Sequence, residues 1–177
     1  MTSVETERLV LRRFREDDLD AMAAIWSNPE VMRHIGEGQT RDRAASEALL
    51  ARLGRHWDEH GFGMWAVVPL GSDEAVGWAG LAVPTFLPAV LPAVEVGWLL
   101  ARSAWGQGYA TEAAAAATAY GFGELGLDRL ISLVYADNAP SAAVAERLGM
   151  TRYEQVVHPV TDRTIQVFER LAPASRS

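Results

Sequence analysis

The stretch EVGWLLARSAWGQGYATEA, Glu95 to Ala113, constrains this chain most: an apolar strand pattern runs through a short loop into Gly-x-Gly-x-Ala and an alanine-rich helix. A helix start presents unpaired backbone N–H groups and the positive end of the peptide dipole, so it attracts phosphate. Gly106 and Gly108 allow close approach of the main chain, and Ala110 keeps the first turn free of bulk. The spacing predicts a pyrophosphate cradle; a plain strand-to-helix turn that needs small residues fits it equally. Two familiar phosphate motifs fail here. A dinucleotide fingerprint wants a third glycine where Thr111 stands, and Asp128 precedes the next strand instead of ending it. A P-loop needs lysine, and this chain has none.

Around that segment the chain reads as one domain from residue 7 to residue 171, with residues 172–177 a frayed tail. Leu9 and Leu11 alternate with Arg8, Val10 and Arg12 as an opening strand. Asp17 or Asp18 caps a helix through Leu19, Met22, Ile25 and Trp26, and Thr40 caps a longer one from about Arg41 to His60. Strand patterns follow at 64–68, 75–82 and 94–100, then at 129–135, 153–157 and 164–170, with a short helix over 140–148. Strands outnumber helices early and interleave with them late. That order predicts an α+β (mixed α/β) sheet of about seven strands.

Composition excludes several function classes. With no cysteine among 177 residues there are no disulfides, thiolate metal sites or cysteine nucleophile. A net charge of −7 argues against a basic face for nucleic acid. No apolar run approaches the roughly 20 residues of a membrane span, and the N-terminus lacks a secretory pattern, so a cytoplasmic protein is the simplest expectation.

The turn WGQGYATEA at Trp105–Ala113 resembles the acetyl-CoA pyrophosphate motif of the GNAT acetyltransferase superfamily, and more narrowly its ribosomal-protein N-terminal acetyltransferase (RimJ/RimL-type) branch. Three further segments match in the same order: TERLVLR at Thr6–Arg12, EVGWLL at Glu95–Leu100, and NAPSAAVAERLGM at Asn138–Met150. The resemblance implies the GNAT fold, a six- or seven-stranded, mostly antiparallel sheet flanked by helices, in which two central parallel strands splay around the pantetheine arm of acetyl-CoA. It implies backbone partners from Trp98, Leu99 and Leu100, and a phosphate cradle from Trp105, Gly106, Gln107, Gly108, Tyr109, Ala110 and Thr111. Asn138 would then contact pantetheine and Ser141 would lie near the sulfur. The implied reaction is direct acetyl transfer to a primary amine, either a protein N-terminus or a small molecule, by a monomer or homodimer. No metal, nucleic acid or membrane enters it. The rival is a module that binds acyl-CoA without turnover.

Such transfer needs a neutral amine, so a base must take a proton. Glu95 is the leading candidate; by strict alternation it faces away from Val94, Val96 and Trp98, toward either the reaction or solvent. Ser141 either hydrogen-bonds the departing sulfur or caps the short helix. Main-chain N–H groups near Leu99 and Leu100 would hold the oxyanion. Some relatives carry another acid near Val160, and His158 is the nearby substitute. His56 and His60 share a helix face, but Trp57 stands where a zinc motif needs glutamate. The apolar loop Pro84–Pro92 lines the acceptor site, forms a subunit contact, or packs into the core.

Overall fold

The computed structural model describes residues 3–174. Its strands are β1 (Ser3–Glu5), β2 (Leu9–Arg12), β3 (Met64–Pro69), β4 (Gly77–Ala82), β5 (Glu95–Leu100), β6 (Arg129–Tyr135), β7 (Thr151–Val157) and β8 (Thr164–Leu171). The helices are α1 (Leu19–Trp26), α2 (Pro29–Met32), α3 (Arg43–His60), α4 (Tyr109–Gly123) and α5 (Ala139–Arg147). All eight strands join one sheet in the order β1-β2-β3-β4-β5-β6-β8-β7. Every neighbouring pair is antiparallel except β5 with β6. The fold is α+β, as expected, with one strand more than the expected six or seven. The addition is β1, whose three residues are too few to show an alternation and which forms a hairpin with β2.

Each face of the sheet buries its own core. On one side Leu9, Leu11, Trp65, Val67, Val96 and Leu100 pack against α4 and α5. The alanines of α4 make that possible: Ala113, Ala114 and Ala117 are fully buried, so the helix backbone lies close on the strands. On the other side Met22, Ile25 and Trp26 of α1 cover Ala66, Val68 and Leu99. Parity therefore splits β5, with Val96 and Leu100 toward α4 and Leu99 toward α1.

Two expected caps are reassigned. Asp42, not Thr40, caps α3, its Oδ1 accepting the Ala45 N–H at 2.8 Å. Asp18 precedes α1 but makes no capping bond. Its carboxylate instead binds the buried Arg12 guanidinium through two bonds of 2.7 and 2.8 Å, and accepts the Arg15 N–H. A buried guanidinium needs a carboxylate more than a helix start needs a cap, because an unpaired buried charge is the costlier defect. Of the expected frayed tail, Ala172 is tied by its N–H to Asp128 O at 2.8 Å, and residues 175–177 lie outside the described residues.

Candidate active site

The one parallel pair in the sheet is also its weakest seam. β5 and β6 share a single register pair, Glu95 with Ile131, reinforced by the Ile131 N–H donating to Val94 O at 3.0 Å. Each strand keeps its other partner along its length: β5 pairs with β4 from Glu95 to Leu100, and β6 with β8 from Arg129 to Tyr135. The two strands therefore part beyond Glu95, and their carboxyl ends open a crevice. Crevices at the carboxyl ends of parallel strands are where such sheets bind ligands.

Strand alternation decides which backbone groups face the opening. Val94 O points to β6, while Ala101 N–H donates to Val76 O on the other edge, at 2.8 Å. Even-numbered residues of β5 thus turn their N–H and C=O to the gap and odd-numbered ones to β4. Of the three residues expected to offer backbone partners, Trp98 and Leu100 face the crevice, Val96 joins them, and Leu99 is committed to the sheet. Leu100 O already accepts the Trp105 indole N–H at 2.8 Å, which fixes the half-exposed Trp105 ring where β5 ends.

The glycine turn follows directly. Gly106 and Gly108 have φ of +76° and +81°, a left-handed conformation that a side chain disfavours. Gly108 is the N-cap of α4 and offers no capping side chain, so the first N–H groups of the helix remain open for a ligand. Gln107 points elsewhere, its amide donating to Ser103 O.

A brace that the sequence reading missed holds this turn. Arg8 N–H and Nε donate to Glu112 at 2.9 and 2.8 Å, and Thr6 Oγ1 donates to it at 2.7 Å. Arg8 also reaches Gln107 O at 2.9 Å and lies 5.0 Å from the Tyr109 ring centroid. Burial works to raise the proton affinity of Glu112, but the bonds from Thr6 and Arg8 and the Arg8 charge outweigh it and hold the carboxyl ionised. The signal was a single acid in the first turn of an alanine helix, opposite an opening strand read only for its apolar alternation.

Glu95 sits at the other end of β5, on the wall of a cavity of about 940 Å³. Burial pushes its carboxyl up to about 7, and a hydrogen bond from the Leu133 backbone opposes that only in part. It faces away from Val96 and Trp98, as alternation required. Gly97 keeps its surroundings clear: a Cβ there would lie 3.8 Å from Glu95 Oε1 and 3.4 Å from both Met64 and Trp78.

Asn138 and Ser141 stand at the start of α5, past the carboxyl end of β6. Asn138 is the N-cap, its Oδ1 accepting the Ser141 N–H at 3.3 Å. Ser141 therefore does not cap the helix, and its hydroxyl is not spent on that task. Neither residue lines the cavity that holds Glu95.

The remaining candidates resolve differently. His158 is buried, and its Nδ1 accepts the Val160 and Thr161 N–H groups at 3.2 and 3.3 Å. That pattern makes Nδ1 an acceptor and puts the ring proton on Nε2, so His158 ties the turn together from within. His56 is similarly engaged, with Nδ1 on Phe62 O and Nε2 accepting the Val83 N–H. The loop Pro84–Pro92 divides its work. Pro84, Thr85 and Phe86 line the cavity, while Leu87 and Val90 are buried against Ile131, Ile165 and Val167.

Known proteins share this fold. The acetyltransferase (GNAT) domain model matches residues 8–151. The uncharacterized N-acetyltransferase p20 of Bacillus licheniformis is 27% identical over 152 residues, spanning 86% of this chain and 84% of the relative. The crystal structure of an acetyltransferase from Agrobacterium tumefaciens is 30% identical, with a TM-score of 0.80 over 96% of this chain and 94% of that one. A RimL ribosomal α-N-protein acetyltransferase in complex with coenzyme A shares the fold at 17% identity, with a TM-score of 0.79 over 98% of this chain and 99% of its own. A splayed parallel pair, a glycine-built helix start and a matching family model converge, and the chain belongs to the GNAT family of acetyl-CoA-dependent acetyltransferases.

Proposed function

We propose that this acetyltransferase moves the acetyl group from acetyl-CoA directly onto a primary amine, with Glu95 as the general base. The observation that carries the reading is the position of Glu95, at the point where β5 and β6 part, with its carboxyl raised to about 7. The open N–H groups from Gly106 to Ala110, with Trp105, Gln107 and Thr111 around them, take the pyrophosphate. The gap-facing backbone of Val96, Trp98 and Leu100 takes the pantetheine arm, with Asn138 against it from the α5 side.

An α-amine titrates at about 7.7–8.0 and a lysine amine at about 10.4. Proton transfer from an α-ammonium to a carboxylate near 7 is uphill by about one unit, against more than three from lysine, at about 1.4 kcal/mol per unit. Glu95 is thus matched to an α-amine. Once the proton has moved to Glu95, the nitrogen lone pair attacks the thioester carbonyl carbon and the C–N bond forms. A gap-facing N–H of Trp98 or Leu100 holds the oxyanion. The C–S bond then breaks, the proton that the new amide nitrogen must shed passes to the departing sulfur, which the Ser141 hydroxyl hydrogen-bonds, and coenzyme A leaves as the thiol.

The acceptor is a protein N-terminus, as the RimJ/RimL resemblance implies, or a small amine, and the protein works in the cytoplasm as a monomer or homodimer. A binding module without turnover would leave the displaced proton affinity of Glu95 without a task. Thiol release from acetyl-CoA, measured over a panel of amines and N-terminal peptides, tests the reading. Amine-dependent release is expected; tight acetyl-CoA binding with no release for any acceptor would overturn it.

A further inference from the structure

Three arginines with no carboxylate partner border the cavity that Glu95 lines, Arg41 half-buried and Arg52 and Arg55 exposed. Arg41, Arg52 and Arg55 line it, and none of them enters an ion pair among the described residues. Elsewhere the half-buried arginines are satisfied: Arg12 by Asp18, Arg129 by Glu169, Arg163 by Asp137 and Arg170 by Leu148 O. Arg41 is the exception, because its Nε is fully enclosed and has no hydrogen-bond partner. Its backbone is fixed, with the N–H on Trp26 O at 2.9 Å just before Asp42 caps α3. Arg52 follows on the stripe of α3 that presents Ala45, Leu49, Leu53 and His56 to the same space.

The acids on this wall do not answer them. Asp42 spends Oδ1 on the cap of α3, Glu37 and Glu59 are exposed, and Glu95 enters no ion pair among the described residues. A permanent cation on the wall of a cavity, with no carboxylate paired to it, suits an anionic group, and the match to a planar guanidinium is a planar carboxylate. We propose that the acceptor amine carries a carboxylate, and that Arg41, assisted by Arg52, receives it while Glu95 takes the proton from the nitrogen. This rests on the amine-acetylation reading above and names its substrate class, against the cationic acceptors that an overall charge of −7 would suggest.

The test compares matched acceptors that differ in one group: amino acids against their amides and decarboxylated amines, and N-terminal peptides with Asp or Glu against Asn or Gln at the second position. For the unaltered protein, kcat/KM should favour carboxylate over amide by about tenfold or more in at least one of the two sets, and which set responds tells a free amino acid from an acidic peptide terminus. Arg41→Ala should remove that preference through KM, with kcat and acetyl-CoA affinity changed by less than about twofold. Arg41→Lys should restore part of it, since lysine keeps the charge but not the bidentate fork. Should Arg41→Ala melt early, Arg52→Ala, at an exposed position where α3 borders the cavity, should lower the same ratio severalfold. Amides or neutral amines acetylated as well as their acids, or a ratio indifferent to Arg41 and Arg52, would overturn the proposal and leave amine acetylation standing. Silence of every acceptor with acetyl-CoA bound would sink both.

Discussion

The two ends of β5 are built by opposite means. Its carboxyl end runs into a turn whose main chain is shaped by two glycines within one continuous stretch, Trp105 to Ala110. Its amino end opens on a cavity walled by side chains from α3, the loop before it, the Pro84–Pro92 loop, β6 and the turn between β7 and β8. The turn needs geometry that glycine alone supplies cheaply; the cavity needs particular charges brought together from distant segments. A cosubstrate that never changes suits the first construction. An acceptor that differs from one acetyltransferase to another suits the second.

The sharpest way to break this contrast is Gly108→Glu. It forces a side chain into a left-handed position, 3.3 Å from the Arg8 guanidinium, and puts negative charge at the phosphate site. Calorimetry should show acetyl-CoA affinity falling by more than about 100-fold with the thermal melt still cooperative. Unchanged affinity would move the diphosphate off this turn.

Glu95→Gln should do the reverse, lowering kcat by about 100-fold or more with acetyl-CoA affinity intact, and erasing the limb of the pH–rate profile near 7. The same residue makes a stability prediction. Glu95 holds its proton more tightly folded than unfolded, so stability declines as pH rises from the usual carboxylate range, near 4.5, through about 7. The glutamine variant should therefore melt higher than the parent at pH 8 and alike at pH 4. A parent that is equally stable relative to the variant at both pH values would contradict the buried carboxyl.

A smaller effect is expected where side chains support the cradle. Arg8→Ala or Glu112→Gln should weaken acetyl-CoA binding by about three- to tenfold, and the double variant should be no worse than the weaker single one. Strictly additive losses would mean that Arg8 meets the phosphates itself. The smallest difference separates neighbours on α5. Asn138→Ala should cost about 1 kcal/mol of stability as a lost cap, and Ser141→Ala less than about 0.5. Ser141→Ala should still slow release of the thiol by up to about tenfold, read under single turnover. A serine variant as destabilised as the asparagine one would return the cap to Ser141.

The glycine turn and the helix it opens were legible in the sequence because their requirements are local. Positive φ at Gly106 and Gly108, and room for a close helix at Ala113, Ala114 and Ala117, fall on residues that only small side chains satisfy. Asp42 was missed as the cap of α3, with Thr40 two residues upstream equally able by type, because one chain position cannot say where the helix begins. Leu99 was read as facing the cosubstrate, yet its backbone orientation depends on which edge β4 occupies. That two amides meet the His158 Nδ1 was likewise invisible until the fold closed the turn around it.

Residue order alone pointed to the family, to the run of strands and helices apart from β1 and α2, and to the glycine turn, since each follows from short-range backbone preference and side-chain size. Tertiary structure decided that β5 and β6 part at Glu95, that burial raises the proton affinity of this carboxyl, and that Arg41, on the wall of the same cavity, keeps an Nε without a partner. The physical reason is that burial and charge pairing are properties of what surrounds a group, and here the surroundings come from segments dozens of residues away.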